Sequence, residues 1–200
     1  MEVTDMNYLD ENEETEEKQQ PNAFMKKLFE ERTILIYGEI NQDLAREVTS
    51  QLLLLAAMGD EPIKIFINSQ GGHVEAGDTI HDMIKFVKPE VIVIGTGWVA
   101  SAGITIYLAA DAKNRYSLPN TRYMIHQPAG GVQGQSTEIQ IEAKEIIRMR
   151  ERVNRLIAEA TGQTYEKIAK DTDRNFWMSA DEAKEYGMIT KIIKTSDEIK

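Results

Sequence analysis

Acyl transfer needs a nucleophile, a base, a group that orients the base, and donors for the developing oxyanion. Ser101, His126, the Gly71-Gly72 turn and an acceptor beyond residue 160 could together supply them. Ser101 lies within Gly95-Thr96-Gly97-Trp98-Val99-Ala100-Ser101-Ala102-Gly103, between apolar runs at Val91–Ile94 and Ile104–Ala110. The first run is short and β-branched, as a buried strand is; the second suits a buried helix with Ser101 near its first turn. Small residues there leave backbone N–H groups free and let a substrate backbone come close. The competing reading is a serine that merely caps the helix. His126 ends an apolar strand before Gln127-Pro128, and the competing reading is a hydrogen-bonded strand-end histidine. His73 and His81 read as surface or cap residues, and no metal-ligand spacing joins them. Gly71-Gly72 follows a strand and opens a helix, where backbone N–H groups can face a carbonyl oxygen that becomes negative. It lacks the glycine spacing of a phosphate loop.

Composition narrows the classes. The chain has no cysteine, which excludes disulfides, a thiol nucleophile and thiolate metal sites. The start has no signal-peptide pattern, and no apolar run approaches a membrane span, so a soluble cytoplasmic protein is the expectation. The net charge is −10, and residues 1–20 carry most of it, with eight acidic side chains and one lysine. No basic stripe points to nucleic acid. Residues 1–21 read as an acidic, flexible segment, 22–194 as one domain, and 195–200 as a polar tail.

The elements that must position these residues alternate. An amphipathic stretch at 22–31 precedes a strand at Thr33–Tyr37, a helix capped by Asn41 and running to Met58, and a strand at Ile63–Asn68. Ser69–Gly72 reads as a tight turn, Val74–Val87 as a helix, and Val91–Ile94 as a strand leading to the Ser101 helix. Short strands follow at Arg115–Leu118 and Arg122–His126, then a glycine-rich connector at 130–134. A long helix spans Thr137–Thr161, with Gly162 as its stop. A short helix covers Tyr165–Lys170, Ser179 opens a capping box, and Met188–Ile193 is a last strand. Strand–helix alternation makes an α/β fold with right-handed crossovers and a largely parallel sheet.

Several ordered motifs extend this reading. Ile67–Gly72, Ala100-Ser101-Ala102-Gly103, Met124–Pro128, Glu138–Lys144, Asp171–Arg174 and Ser179–Gly187 resemble, in order and spacing, the Clp protease proteolytic subunit (ClpP) family. The resemblance covers about residues 24–194. It implies a ClpP/crotonase-like spiral of ββα units with a protruding long helix, the handle. It implies Ser101 as nucleophile, His126 as general base, and the backbone N–H groups of Gly72 and Ala102 as the oxyanion hole. It also implies self-association into heptameric rings stacked in pairs around a closed chamber. The handle would interdigitate between the rings, and the glycine-rich segment would line the peptide groove. The segment Asp173-Arg174 would form an inter-ring ion pair. An AAA+ unfoldase would feed in unfolded polypeptides and consume the ATP, so the chain itself takes no cofactor. Neither a nucleic acid nor a membrane is implied as a partner.

The sequence departs from the family at four places. Where members normally read Asp-Arg-Asp, this chain reads Asp173-Arg174-Asn175, so Asn175 stands at the third triad position. An amide oxygen can accept the imidazole N–H bond but brings no negative charge. Asp171 and Asp173 are near in sequence and are alternative orienters. Gln70 stands where proline is usual, which predicts a looser oxyanion turn. Ala102 replaces the usual methionine, and the N-terminal segment is acidic rather than apolar. Three readings follow. The first is a serine endopeptidase subunit, weak alone, working with a more active paralogue. The second is a non-catalytic scaffold or regulatory subunit. The third is an acyl-CoA enzyme of the wider fold group, for which no adenine-binding feature is present.

Overall fold

In the computed structural model, residues 23–199 are described. The acidic segment 1–21 lies outside them. A helix, α1, covers residues 23–30. Strand β1 (Thr33–Ile40) and helix α2 (Gln42–Met58) follow. Asn41 starts α2 as expected, its Oδ1 accepting the Leu44 N–H at 2.9 Å. Ala45, Val48, Leu52 and Leu55, at helical spacing, are the residues α2 buries.

Strand β2 (Ile63–Gly72) and strand β3 (Val91–Ala100) both run further than the sequence indicates. The Ser69–Gly72 stretch is strand, not a free turn: Glu39 pairs with Gly71 and Ile40 with Gly72 on β1. Between β2 and β3 lie helix α3 (Val74–Phe86) and its crossover. Helix α4 (Ala102–Tyr107) follows β3 directly and is buried throughout.

β3 serves two neighbours. Val93–Gly95 pair with β4 (Arg115–Ser117), whereas Trp98–Ala100 pair with β5 (Arg122–Ile125). A bulge separates the two halves, because β2 pairs Ile67 with Gly95 but Ser69 with Val99. Gly97 has φ 61°, and a Cβ there would lie 2.7 Å from Asn68 Oδ1, so glycine is required at the bend. The bend re-aims the end of β3, and with it Ser101, away from the β4 side.

Helix α5 (Ser136–Thr161) is 26 residues long and buries Val153, Asn154, Ile157 and Ala158, all near its C-terminal end. Its first half projects, leaving Ile139, Ile141 and Ile147 exposed. Gly162 ends it in the left-handed conformation at φ 73°. Helix α6 (Tyr165–Asp171) leads to β6 (Phe176–Ser179), which pairs antiparallel with β5. Helix α7 (Ala180–Glu185) opens with both capping-box bonds of Ser179 and Glu182 in place. The last strand, β7, is only Lys191–Ile192, because Met188 and Ile189 instead drop into the core. All strand pairings but β5–β6 are parallel, in the order β1-β2-β3-β4-β7 with β5 branching from β3. Residues 196–198 form a 3-10 turn, and Ile199 packs against a small cluster of Ile92, Ile94, Tyr116 and Ile193.

The main core lies between the parallel sheet and α2–α4. Tyr107 and Tyr123 meet edge to face inside it, with ring centroids 5.5 Å apart. Burial pushes the Tyr123 hydroxyl up to about 12, so it stays neutral there.

Candidate active site

Ser101 stands at the junction of β3 and α4 with φ 55° and ψ −122°. Left-handed φ at a residue with a Cβ costs about 1–3 kcal/mol and persists only where the surroundings enforce it. Its neighbours do enforce it. The Ser101 N–H donates to Met124 O at 3.0 Å, tying the turn to β5. The Ser101 side chain makes no capping bond to α4, so the helix-cap reading is set aside. Ser101 Oγ instead donates to His126 Nε2 at 2.7 Å.

His126 follows β5 directly. Its Nδ1–H donates to Asn175 Oδ1 at 3.0 Å. These two bonds are mutually consistent only in one tautomer, with the proton on Nδ1 and a free lone pair on Nε2. Asn175 is delivered by the loop between α6 and β6. Two bonds hold that loop to the residue after the histidine: the Gln127 N–H donates to Thr172 O at 2.6 Å, and Gln127 Nε2 donates to Asp173 O at 2.8 Å.

The other expected orienters are elsewhere. Asp171 accepts from Lys167 Nζ at 2.6 Å and from Tyr186 Oη at 2.7 Å. Burial works to raise the Asp171 carboxyl, but the bonds from Lys167 and Tyr186 outweigh it and hold it below the usual carboxylate range. Asp173 faces Arg150 at 3.7 Å. Arg174 is exposed and makes no ion pair among the described residues.

The glycine pair lies under the serine. A Cβ on Gly71 would sit 2.6 Å from Ser101 Cβ and 3.1 Å from Ala102 N, and one on Gly72 would sit 2.1 Å from Ile40 O. Only glycines let β2 pass this close to both β1 and the Ser101 turn. No backbone carbonyl among the described residues takes the Ala102 N–H, the first of α4. Ser69 Oγ braces the turn, donating to Gly38 O at 2.5 Å and accepting the Gly71 N–H at 3.0 Å. Sequence reasoning did not single out Ser69; its place one strand step before the glycines was the available signal. The glutamine at position 70, expected to loosen a turn, lies in strand β2 and reaches across to β1. With its amide oriented to suit its neighbours, it donates to Gly38 O at 3.2 Å and accepts the Glu39 N–H at 3.3 Å.

An apolar recess opens beside Ser101 and His126, walled by Val74, Ile104, Ile125, Pro128, Val153 and Ile157. A much larger cavity, about 680 Å³, lies between α3 and α5 beside His81, Lys85 and Arg152. It contains none of the Ser101, His126 and Asn175 side chains, and hydrogen-bond geometry rather than size locates the candidate site. His81, expected at the surface, is buried, and its Nδ1–H donates to Thr105 O at 2.7 Å. His73 stays exposed beside Glu75. Among the described residues, no group of three or more His, Cys, Asp or Glu is placed to hold a metal ion. None of their helices is long and apolar enough to cross a membrane.

Comparison with known proteins follows the same lines. The family model described as Clp protease matches residues 15–196. The chain is 55% identical over 194 residues to ATP-dependent Clp protease proteolytic subunit 3 of Rhizobium etli, covering 97% of this chain and 100% of the relative. It is 58% identical over 176 residues to proteolytic subunit 2 of Gluconobacter oxydans, covering 87% and 79%. Among solved structures, ClpP1 from Listeria monocytogenes superposes with a TM-score of 0.81 at 69% identity, covering 88% of this chain and 99% of that one. An asparagine-to-aspartate variant of the same protein gives 0.83 at 70%, with the same coverage. A continuous match of this length, on a fold with the same α/β spiral and long helix, leaves one conclusion: the chain belongs to the Clp protease family.

Proposed function

We propose that the chain is a serine endopeptidase subunit of a self-compartmentalised, ATP-dependent protein-degrading complex, with low turnover when it works alone. The observation that carries this reading is the bonded chain Ser101–His126–Asn175. As Ser101 Oγ attacks a peptide carbonyl carbon, its proton passes to His126 Nε2. The carbonyl π electrons move to oxygen, and the N–H groups of Gly72 and Ala102 receive that oxyanion. His126 then protonates the leaving amine as the C–N bond breaks. A water, deprotonated by His126, cleaves the acyl-serine and restores the hydroxyl. The apolar recess beside Ser101 would present an apolar wall to the substrate.

The weak step is the imidazolium. A carboxylate only accepts hydrogen bonds, so it both enforces the Nδ1–H tautomer and stabilises the positive ring. An amide can present its NH₂ end instead and stabilise the other tautomer, and it offers no charge. In the serine-protease example the same exchange costs about 10⁴ in turnover.

The assembly reading rests on the family and on the exposed isoleucines of α5. Heptameric rings stacked in pairs would bury that half-helix, and Asp173 and Arg174 would meet the opposite ring. An AAA+ unfoldase would deliver unfolded polypeptides and consume the ATP, so this chain needs no cofactor. That ATP demand fits the cytoplasm. The neutral Asn175 also favours a second reading, a scaffold or regulatory subunit in mixed rings with an active paralogue. The relatives named subunit 2 and subunit 3 come from proteins numbered as one of several.

A fluorogenic-peptide assay of the chain alone, beside Asn175→Asp, tests the first reading. Low turnover that rises strongly in the variant is expected. A high native rate abolished by Ser101→Ala but unmoved by Asn175→Asp overturns the weakened-triad account. A fluorophosphonate probe that fails to label Ser101, alone or with a paralogue, favours the scaffold.

A further inference from the structure

Side chains directly opposite in paired strands share a face, and so do residues two apart along a strand. The register aligns Trp98 with Arg122 and Ser179, then Ala100 with Met124 and Trp177. The opposite face holds Val99, Tyr123, Ile125 and Met178, all buried in the core. The outer face therefore carries Trp98, Arg122 and Trp177. One step further along β5 and β6, the same alternation reaches His126 and Asn175. The triad residues thus share this face of the sheet, with Trp177 two residues from Asn175 and the buried Met124 between Arg122 and His126.

That surface has unusual chemistry. Trp98 is 40% exposed, and its ring lies within 8° of parallel to that of Trp177, with centroids 6.3 Å apart. The Arg122 guanidinium lies over Trp177, 4.3 Å from the ring centroid. No carboxylate or carbonyl among the described residues takes an Arg122 N–H. A guanidinium stacked on an indole keeps its edge donors free for a planar, bidentate acceptor. The exposed Trp98 indole and the half-buried Trp177 indole offer apolar area beside it.

We propose that Trp98, Arg122 and Trp177 form a subsite that binds a carboxylate of the polypeptide beside the triad, the indoles covering the adjoining apolar side chain. The proposal rests on the peptidase reading for the identity of its ligand as a polypeptide. The carboxylate can belong to a chain end, as on a cleaved product, or to an acidic side chain. Either engages the same guanidinium edge.

The chain has two tryptophans, and both are in the subsite, so its intrinsic fluorescence reports from there. The Ser101→Ala full chain is titrated with a short apolar peptide ending in a free carboxylate, with its C-terminal amide, and with amides carrying an internal Glu or Gln. A saturable emission change is expected for carboxylate-bearing peptides, with affinity about tenfold or more above their neutral partners. The free acid responding and the internal Glu not responding assigns the chain end; the reverse assigns the side chain. Arg122→Gln should erase the preference, and Trp98→Gln, at an exposed position, should weaken all peptides alike. Equal affinity for charged and neutral peptides, no saturable change, or a preference that survives Arg122→Gln overturns the subsite. Fluorophosphonate labelling of Ser101 in the Arg122→Gln chain verifies that the site is folded. A native chain that labels but shows no carboxylate preference sinks the subsite alone, whereas an unlabelled native chain sinks the peptidase reading.

Discussion

Asp171 ends α6 and Asn175 ends the loop that follows, four residues on, and they meet opposite fates. Asp171 is a carboxylate, partly buried, held by the Lys167 ammonium and the Tyr186 hydroxyl. Asn175 is a neutral amide, exposed, holding the His126 imidazole. The negative charge sits where it stabilises the packing of α6 against α7. It is missing where the proposed mechanism forms an imidazolium. Proximity in sequence therefore does not let Asp171 stand in for the absent triad charge. Its side chain is already satisfied by Lys167 and Tyr186, and His126 Nδ1 is bonded to Asn175 instead.

The largest effect should come from restoring charge at the catalytic corner. Asn175→Asp should raise turnover of a fluorogenic peptide by about 10² or more, with about 10⁴ as a ceiling. Adding Ser101→Ala should return the rate to background. An unchanged rate in Asn175→Asp would mean that the two corners do not differ in the way described.

Gly71→Ala comes next. The new Cβ would press on Ser101 Cβ and Ala100 O, at a residue with φ +96°. In the Asn175→Asp background it should lower turnover by about 10-fold or more, because the oxyanion donors and the nucleophile must shift apart. The decisive measurement is kcat: a change confined to KM would place the glycine outside the chemistry.

The packing corner should respond in stability instead. Asp171→Asn removes a charged acceptor from Lys167 and Tyr186, and should cost about 1–3 kcal/mol in urea melts. Peptide turnover of Asn175→Asp should change by no more than about threefold on adding it. The double variant should show the sum of the two separate effects, since the side chains share no partner. Strong coupling between them would show that the loop transmits one corner to the other.

The smallest effect is the pH dependence of that stability. The Asp171 carboxyl is held below its unfolded value of about 3.9. Its contribution is therefore present above that value and is lost as pH falls through the folded pKa. The stability gap between the native chain and Asp171→Asn should be full at neutral pH and should close in acid. A gap that persists at the lowest pH would assign it to packing rather than charge.

Much of this was legible along the chain, and the misses have physical causes. Ser101, His126 and Gly71-Gly72 stand in short runs whose composition implies turns next to strands. Helix ends were readable where one side chain decides them, as at Asn41, Gly162 and Ser179. β6 was missed because four residues running straight into a capping box are too few to reveal a period. The ends of β2 and β3 read as turns because glycines break strand propensity, yet in the fold they pair closely with neighbours. His81 reads as a surface residue because its burial depends on α4 packing across α3, which local pattern does not encode.

By itself the sequence determined the alternation of strands and helices, the family motifs, and the absence of a carboxylate at position 175. Those are properties of residue type and order, and side-chain chemistry acts over a few neighbours. The tertiary structure decided that Asn175 rather than Asp171 or Asp173 reaches His126, and that two distant tryptophans and Arg122 share one face with the triad. Such pairings depend on strand register and on the direction a loop leaves its helix. Both are settled only when the core closes and every buried polar group must find its partner.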